Sequence, residues 1–271
     1  MNDPVVLSAA AGGIATITLN RPDRLNAWTG RMHAAYRAAV AAAEDDPSVR
    51  VMIVTGAGRG FCAGADIAAL EKEAAAGHYD DGLTEEPARP GFGVRSDFDH
   101  PFAFHLGLTK PVIAMVNGPA AGVGFVLACF ADVRFAADDA KLTTAHGRLG
   151  LPAEFGLSWL LPRLIGAGRA ADLLLSSRIV SGGEAASMGL VSDAVPIDRL
   201  PATTLAYATD LATTVSPTSL WLTKRQLYAE LHGDLGPAMT RSAELLDLAM
   251  GAPDFATGVR ALRDKTDPEF A

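Results

Sequence analysis

Two short loops constrain this chain more than any other feature. One is Gly60-Phe61-Cys62-Ala63-Gly64-Ala65-Asp66-Ile67, the other Asn117-Gly118-Pro119-Ala120-Ala121-Gly122-Val123-Gly124-Phe125. Each follows an apolar, β-branched run (51–54 and 112–116) and leads into a stretch with helical spacing. A strand, a turn of small residues and a helix, met twice, point to an α/β fold with parallel strands. Small residues let a backbone approach a ligand closely, and a helix start presents unpaired N–H groups and a partial positive charge. Two such loops can aim two N–H groups at one oxygen that becomes negative during a reaction. The plainer alternative is that both are only tight strand-to-helix turns.

A chain of 271 residues, 49% hydrophobic and 20% charged, can bury a large core as one sizeable domain or two small ones. The net charge of −8 argues against a general nucleic-acid or anionic-membrane surface, while leaving room for an anionic ligand held by a local basic cluster. The two cysteines, Cys62 and Cys129, lack metal-ligand spacing and read as reduced core thiols. No apolar run approaches the ~20 residues of a membrane span, and the first residues lack a signal-peptide pattern, so the expected compartment is the cytoplasm. The histidines His78, His100 and His105 show no metal spacing, and no metal is expected.

Strands are expected at 5–8 and 14–19, joined at Ala11-Gly12-Gly13, then at 50–55, 112–116 and 133–136; helices at 31–43, 67–76 and 123–129, with a short one at 102–108. Residues 77–95, rich in Gly, Asp, Glu and Pro, read as a loop near a site. Beyond about Gly150 helical signals dominate: 170–175, 181–188, 200–215, 217–231, 242–250 and 254–265, with Ser181, Ser216, Thr218 and Asp254 as N-terminal caps. The reading is an α/β core over 1–200 and a helical region over 201–271, whose broad apolar faces suit packing on sister subunits.

The segments Asn20-Arg21-Pro22-Asp23-Arg24-Leu25-Asn26-Ala27, Phe61 to Ile67, Lys110-Pro111-Val112-Ile113-Ala114, Asn117-Gly118 through Gly124, Asp132-Val133-Arg134 and Leu160-Leu161-Pro162-Arg163-Leu164-Ile165-Gly166 together resemble the crotonase superfamily, the enoyl-CoA hydratase/isomerase family. The resemblance covers nearly the whole chain. It implies a spiral of ββα units with a C-terminal helical region used for trimerisation, and a trimer or dimer of trimers. It also implies acyl-CoA thioester substrates and an enolate held in an oxyanion hole. Coenzyme A is part of the substrate, and no further cofactor is implied. By position the oxyanion donors fall on the N–H groups of Ala65 and Val123; many relatives carry Gly at the latter. Arg24 falls where relatives contact CoA phosphates, Lys265 in the last helix where they reach the nucleotide end, and Leu262 beside the adenine. Main chain at Asp23, Ala63 and Ile67 lines the adenine pocket by the same analogy. Arg24 and Lys265 have a plain alternative as solvated surface charges. Asp66 reads as a brace for the first loop.

Hydratases of the family use two glutamates, at positions that here read Val126 and His146. Neither reproduces a carboxylate pair. A third family position, used by isomerases, holds Glu154. One carboxylate suits a 1,3-proton shift: it removes a proton from C2, the N–H pair holds the dienolate, and the same acid returns a proton to C4. The alternative for Glu154 is a helix-start glutamate before 157–161. His146 is either a second polar group in the pocket or a packed histidine satisfied by backbone, with the packed reading preferred. Three functions stay open: an isomerase working through Glu154, another crotonase reaction such as hydration with one carboxylate, and a CoA-thioester-binding protein without catalysis.

Overall fold

A computed structural model describes residues 3–270. Strands β1 (Val6–Ala11) and β2 (Ile14–Leu19) form an antiparallel hairpin through Gly12 and Gly13. Both glycines sit at positive φ (58° and 81°), as a tight hairpin turn requires. Helix α1 (Gly30–Asp45) starts at Thr29, whose hydroxyl accepts from Met32 N–H at 3.1 Å. Its residues Met32, Tyr36 and Val40, four apart, make one buried face. Strand β3 (Val51–Gly56) is buried along its whole length, and α2 (Ile67–Ala76) follows the first small-residue loop. Residues 77–95 carry no helix or strand, as expected.

The middle of the chain runs β4 (Val112–Val116), β5 (Ala120–Ala121), α3 (Val123–Phe130), β6 (Val133–Ala137) and β7 (Lys141–Thr143). It continues with α4 (Leu157–Ile165), α5 (Ala167–Ser176), β8 (Val180–Ser181), α6 (Gly182–Ser187) and β9 (Asp193–Val195). Helices α7 (Leu200–Thr214), α8 (Pro217–Glu230), α9 (Leu235–Met250) and α10 (Pro253–Asp264) close the chain. The main sheet has the order β1-β2-β3-β4-β6-β9, and every pair after the hairpin is parallel. A smaller sheet has the order β5-β7-β8. Helix α7 lies across β2, β3, β4 and β6 through Leu200, Thr204, Ala208 and Ala212, again four apart. A parallel sheet needs such cover, because its strands are apolar on both faces.

Helix α8 is pinned to this core by Asp132. One carboxylate oxygen accepts from Val112 N–H (2.6 Å) and from the Lys224 ammonium (2.8 Å), the other from Tyr228 O–H (2.6 Å). The Lys224 and Asp132 side chains are only 5% and 13% exposed.

Several local expectations change. Ser181 and Ser216 cap α6 and α8, but Thr218 and Asp254 are each the second residue of a helix and cap neither one from its own N-terminus. The Asp254 carboxylate accepts instead from Ser216 O–H and Thr218 N–H, so it serves the start of α8 from α10. Helix α9 begins at Leu235, well before 242, because Pro237 falls in its first turn, where a missing N–H costs nothing. Lys265 lies one residue beyond α10, in the left-handed conformation (φ 55°) that ends the helix. The 102–108 segment is a 3-10 turn, Ala103–Gly107. Strands β5, β7, β8 and β9, of two or three residues, were not expected at all.

Candidate active site

Because β3 and β4 are parallel neighbours, their two loops leave the sheet at the same edge. Side-chain amides then fix the loops. Asn117 donates to the carbonyls of Gly56 and Gly58 (both 2.9 Å) and accepts from Gly56 N–H (3.2 Å). Asn26, fully buried, donates to Ala57 and Gly60 carbonyls (3.0 and 2.8 Å) and accepts from Arg21 N–H (2.8 Å). Arg21 pairs with Asp66 at 2.7 Å, while the other Asp66 oxygen accepts from Ala68 N–H and caps α2. The Arg21 hydrogen bond holds the Asp66 carboxyl below the usual carboxylate range.

The two loops are also joined to each other. Cys62 N–H donates to Pro119 O at 3.0 Å, and Ala121 N–H to Cys62 O at 3.0 Å, a parallel bridge between Cys62 and Ala120. A Cβ on Gly124 would stand 2.0 Å from Cys62 O, so α3 reaches the first loop only with glycine there. A second parallel bridge joins Trp28 to Ala65, through Trp28 N–H to Gly64 O (2.7 Å) and Asp66 N–H to Trp28 O (2.9 Å). In that pattern the bridge uses the neighbours of Ala65, and the N–H of Ala65 itself points away. Val123 opens α3, so its N–H has no partner one turn earlier. Among the described residues neither N–H has an acceptor.

Both donors line one cavity of about 790 Å³. Trp28, Phe102, Phe155 and Tyr79 form a continuous aromatic wall, with successive ring centroids 5.5, 5.2 and 5.9 Å apart. Phe102 and Phe155 have positive φ (67° and 48°), a conformation costing side chains other than glycine about 1–3 kcal/mol each. Leu151, Pro152 and Glu154 complete that side. Burial pushes the Glu154 carboxyl above its ordinary range; His146 opposes the shift and Glu73 adds to it. The site thus combines two free N–H donors, an apolar wall and a carboxylate with raised proton affinity.

Known proteins share this chain's sequence and fold. The family model described as "Enoyl-CoA hydratase/isomerase" matches residues 9–271. The chain belongs to the enoyl-CoA hydratase/isomerase family. It is 35% identical to the 1,2-epoxyphenylacetyl-CoA isomerase of Escherichia coli strain K12, over 98% of this chain and 97% of that protein. It is 42% identical to a probable enoyl-CoA hydratase of Mycobacterium tuberculosis H37Rv, over 95% and 89%. Among solved structures, a probable enoyl-CoA hydratase/isomerase from Mycobacterium abscessus superposes with a TM-score of 0.85 at 33% identity, covering 98% of each chain. The chain is an α/β crotonase fold, and its relatives are named as enzymes.

Within this family frame, Ala65, Val123 and Glu154 come together in the cavity. Val126 and His146 do not line it. Val126 is packed on the core side of α3, and His146 is buried with Nε2 3.0 Å from Leu174 O, consistent with a packed histidine. Asp23 and Arg24 form the 3-10 turn Pro22–Arg24, tied to the first loop by Ala63 N–H donating to Leu25 O (3.0 Å). Ile67 is exposed at the start of α2. Leu262 instead lines a separate groove of about 510 Å³ between α8, α9 and α10. Lys265 lies outside both cavities. Cys62 and Cys129 are buried free thiols whose pKa burial pushes up to about 12, so neither is a nucleophile. The sequence reading missed Glu73 and the aromatic wall. The available signal for Glu73 was its helical spacing with Ala69 and Leu70, which share its face of α2.

Proposed function

We propose that this protein moves the double bond of an enoyl-CoA thioester, with Glu154 as acid/base and the N–H groups of Ala65 and Val123 holding the thioester oxygen. One observation carries the reading: two unpaired N–H donors and a carboxylate of raised proton affinity line the same apolar cavity. In a 3-enoyl-CoA, Glu154 takes a proton from C2, and the electron pair moves onto the thioester oxygen, where the two N–H groups meet it. The carboxyl then returns a proton to C4, leaving a 2-enoyl product and an ionised Glu154. Desolvation suits the step, because a base with higher proton affinity abstracts a carbon-bound proton more readily. The reaction calls for no metal or redox cofactor, and CoA enters as part of the substrate.

The aromatic wall supports an acyl group that is flat beyond the thioester, since rings stack on such surfaces with offset or edge geometry. That the Escherichia coli relative is named for a phenylacetyl-CoA epoxide favours the same substrate class. Hydration remains a second reading, favoured by the hydratase names of other relatives. Incubation with a 3-enoyl-CoA and a 2-enoyl-CoA, followed by mass and ultraviolet absorbance, separates the cases. Isomerisation keeps the mass, hydration adds water, and a mere binder changes neither.

We place Arg24 at the CoA phosphates, with main chain at Asp23, Ala63 and Ile67 beside the adenine. Leu262 and Lys265 serve a site only if α10 reaches a sister subunit. The exposed apolar side chains Leu235, Met239, Leu246, Leu248, Phe255, Val259 and Leu262 on α9 and α10 support a trimer or a dimer of trimers. Among the described residues no helix is long and apolar enough to cross a membrane, and a cytoplasmic acyl-CoA enzyme is the proposed setting.

A further inference from the structure

Glu73 enters the same cavity from α2. That helix shows the cavity Ala69, Leu70, Glu73 and Ala74, and Glu73 is the one ionisable group on this face. Among the described residues its carboxylate makes no hydrogen bond or ion pair. A glutamate that only solubilised a helix would have no reason to face an apolar cavity containing the N–H pair. Its charge acts on Glu154 and on Tyr79. The other titratable groups around the two glutamates are His78, Tyr79, Asp80 and Asp81 on the loop after α2, with Asp80 paired to Lys72, and the buried His146, whose charge acts on Glu154.

We propose that Glu73 is a second catalytic residue, the proton carrier for the acyl carbon remote from the thioester. This rests on the isomerase reading above. In the reactive form the two carboxyls share one proton, carried by Glu73, because like charges facing one cavity disfavour ionising both; the ionised Glu154 takes the C2 proton and becomes a carboxylic acid. In place of the return from Glu154 given above, the dienolate then takes its proton at C4 from the carboxyl of Glu73, the electrons return from the thioester oxygen to form the C2–C3 double bond, and Glu73 is left ionised. One proton leaves the substrate and one enters. The pair is reset when the proton on Glu154 passes to water and Glu73 takes one from water. The two carboxylates of the reaction thus come from α2 and the loop before α4, in place of the positions occupied here by Val126 and His146.

The test follows a 3-enoyl-CoA carrying deuterium at C2, turned over in ordinary water by native protein, Glu73→Gln and Glu154→Gln, with the position of label in the product read by mass spectrometry and NMR. With two carriers the native product gains its C4 hydrogen from water. Glu73→Gln then loses turnover by ~10-fold or more and carries C2 label to C4, because Glu154 must serve both carbons. A changed label pattern without a rate loss also supports the proposal. An unchanged label pattern in Glu73→Gln overturns it, whether or not the rate falls. Unaltered CoA-thioester affinity in calorimetry verifies that the cavity is intact. If Glu154→Gln is silent as well, the isomerase reading itself has failed; if Glu73→Gln alone is silent, only this inference has.

Discussion

Gly124→Ala tests whether the two loops must touch for the site to exist. The added Cβ would lie 2.0 Å from Cys62 O and 2.8 Å from Cys62 C, closer than real contacts allow. Neither atom is a flexible side-chain end, so α3 and the first loop must separate by about 1 Å to reach 3.0 Å. Overpacking of this kind costs about 1–3 kcal/mol, which lowers Tm by about 2–4 °C per kcal/mol in a chain of this size. The functional cost is separate from the structural one and of similar size. Val123 precedes the substituted residue and Ala65 lies three beyond Cys62, so the same movement spreads the donor pair, and a misplacement of about 1 Å costs ~10²-fold in rate. Gly168→Ala in α5 is the control, since nothing lies within 4 Å of its added Cβ; it should be neutral or slightly stabilising. Calorimetric unfolding and enoyl-CoA turnover on the three proteins decide the matter. Native Tm and native turnover in Gly124→Ala would refute the claim that the bridge sets the donor geometry.

Lys224→Met leaves Asp132 buried without its cation, and about 3–5 kcal/mol of stability should be lost in urea unfolding; a loss below 1 kcal/mol would mean that the pair is well solvated. The raised proton affinity of Glu154 carries a stability consequence. Its favourable contribution is present below the unfolded glutamate value of about 4.3 and is lost as pH rises through the higher folded value. Glu154→Gln should therefore unfold at the native temperature or above at pH 7, with the gain shrinking toward pH 4; a Tm well below native at pH 7 would contradict the desolvation argument. Arg24→Ala should weaken CoA binding, more at low salt than at high, and equal affinity at low ionic strength removes Arg24 from the site.

The parts of the fold visible in the sequence are those whose causes are local. Alternating and β-branched runs located β1 to β4 and β6, and helical spacing located α1, α2 and α3. The two loops declared themselves because close backbone approach demands small residues, as the Gly124 contact shows. Strands β5, β7, β8 and β9 are too short to show a period, and exist because neighbouring segments offer them partners. The Asp254 carboxylate looked like a cap for its own helix but serves α8, a choice made by packing between helices. The same limit applied in the cavity. Glu154 could be singled out from one position, but Trp28, Glu73, Tyr79, Phe102 and Phe155 are scattered along the chain and meet only once the sheet has brought their segments together.

The central claim is that Glu154 moves the proton while the main-chain donors hold the thioester. Steady-state turnover of a 3-enoyl-CoA by Glu154→Gln, with thioester affinity measured on the same protein, tests it most directly. The account predicts a fall in kcat of ~10²-fold or more, with affinity nearly unchanged because both N–H groups remain, while His146→Ala costs far less. Native turnover in Glu154→Gln together with an inactive His146→Ala would contradict it and transfer the role of base to His146.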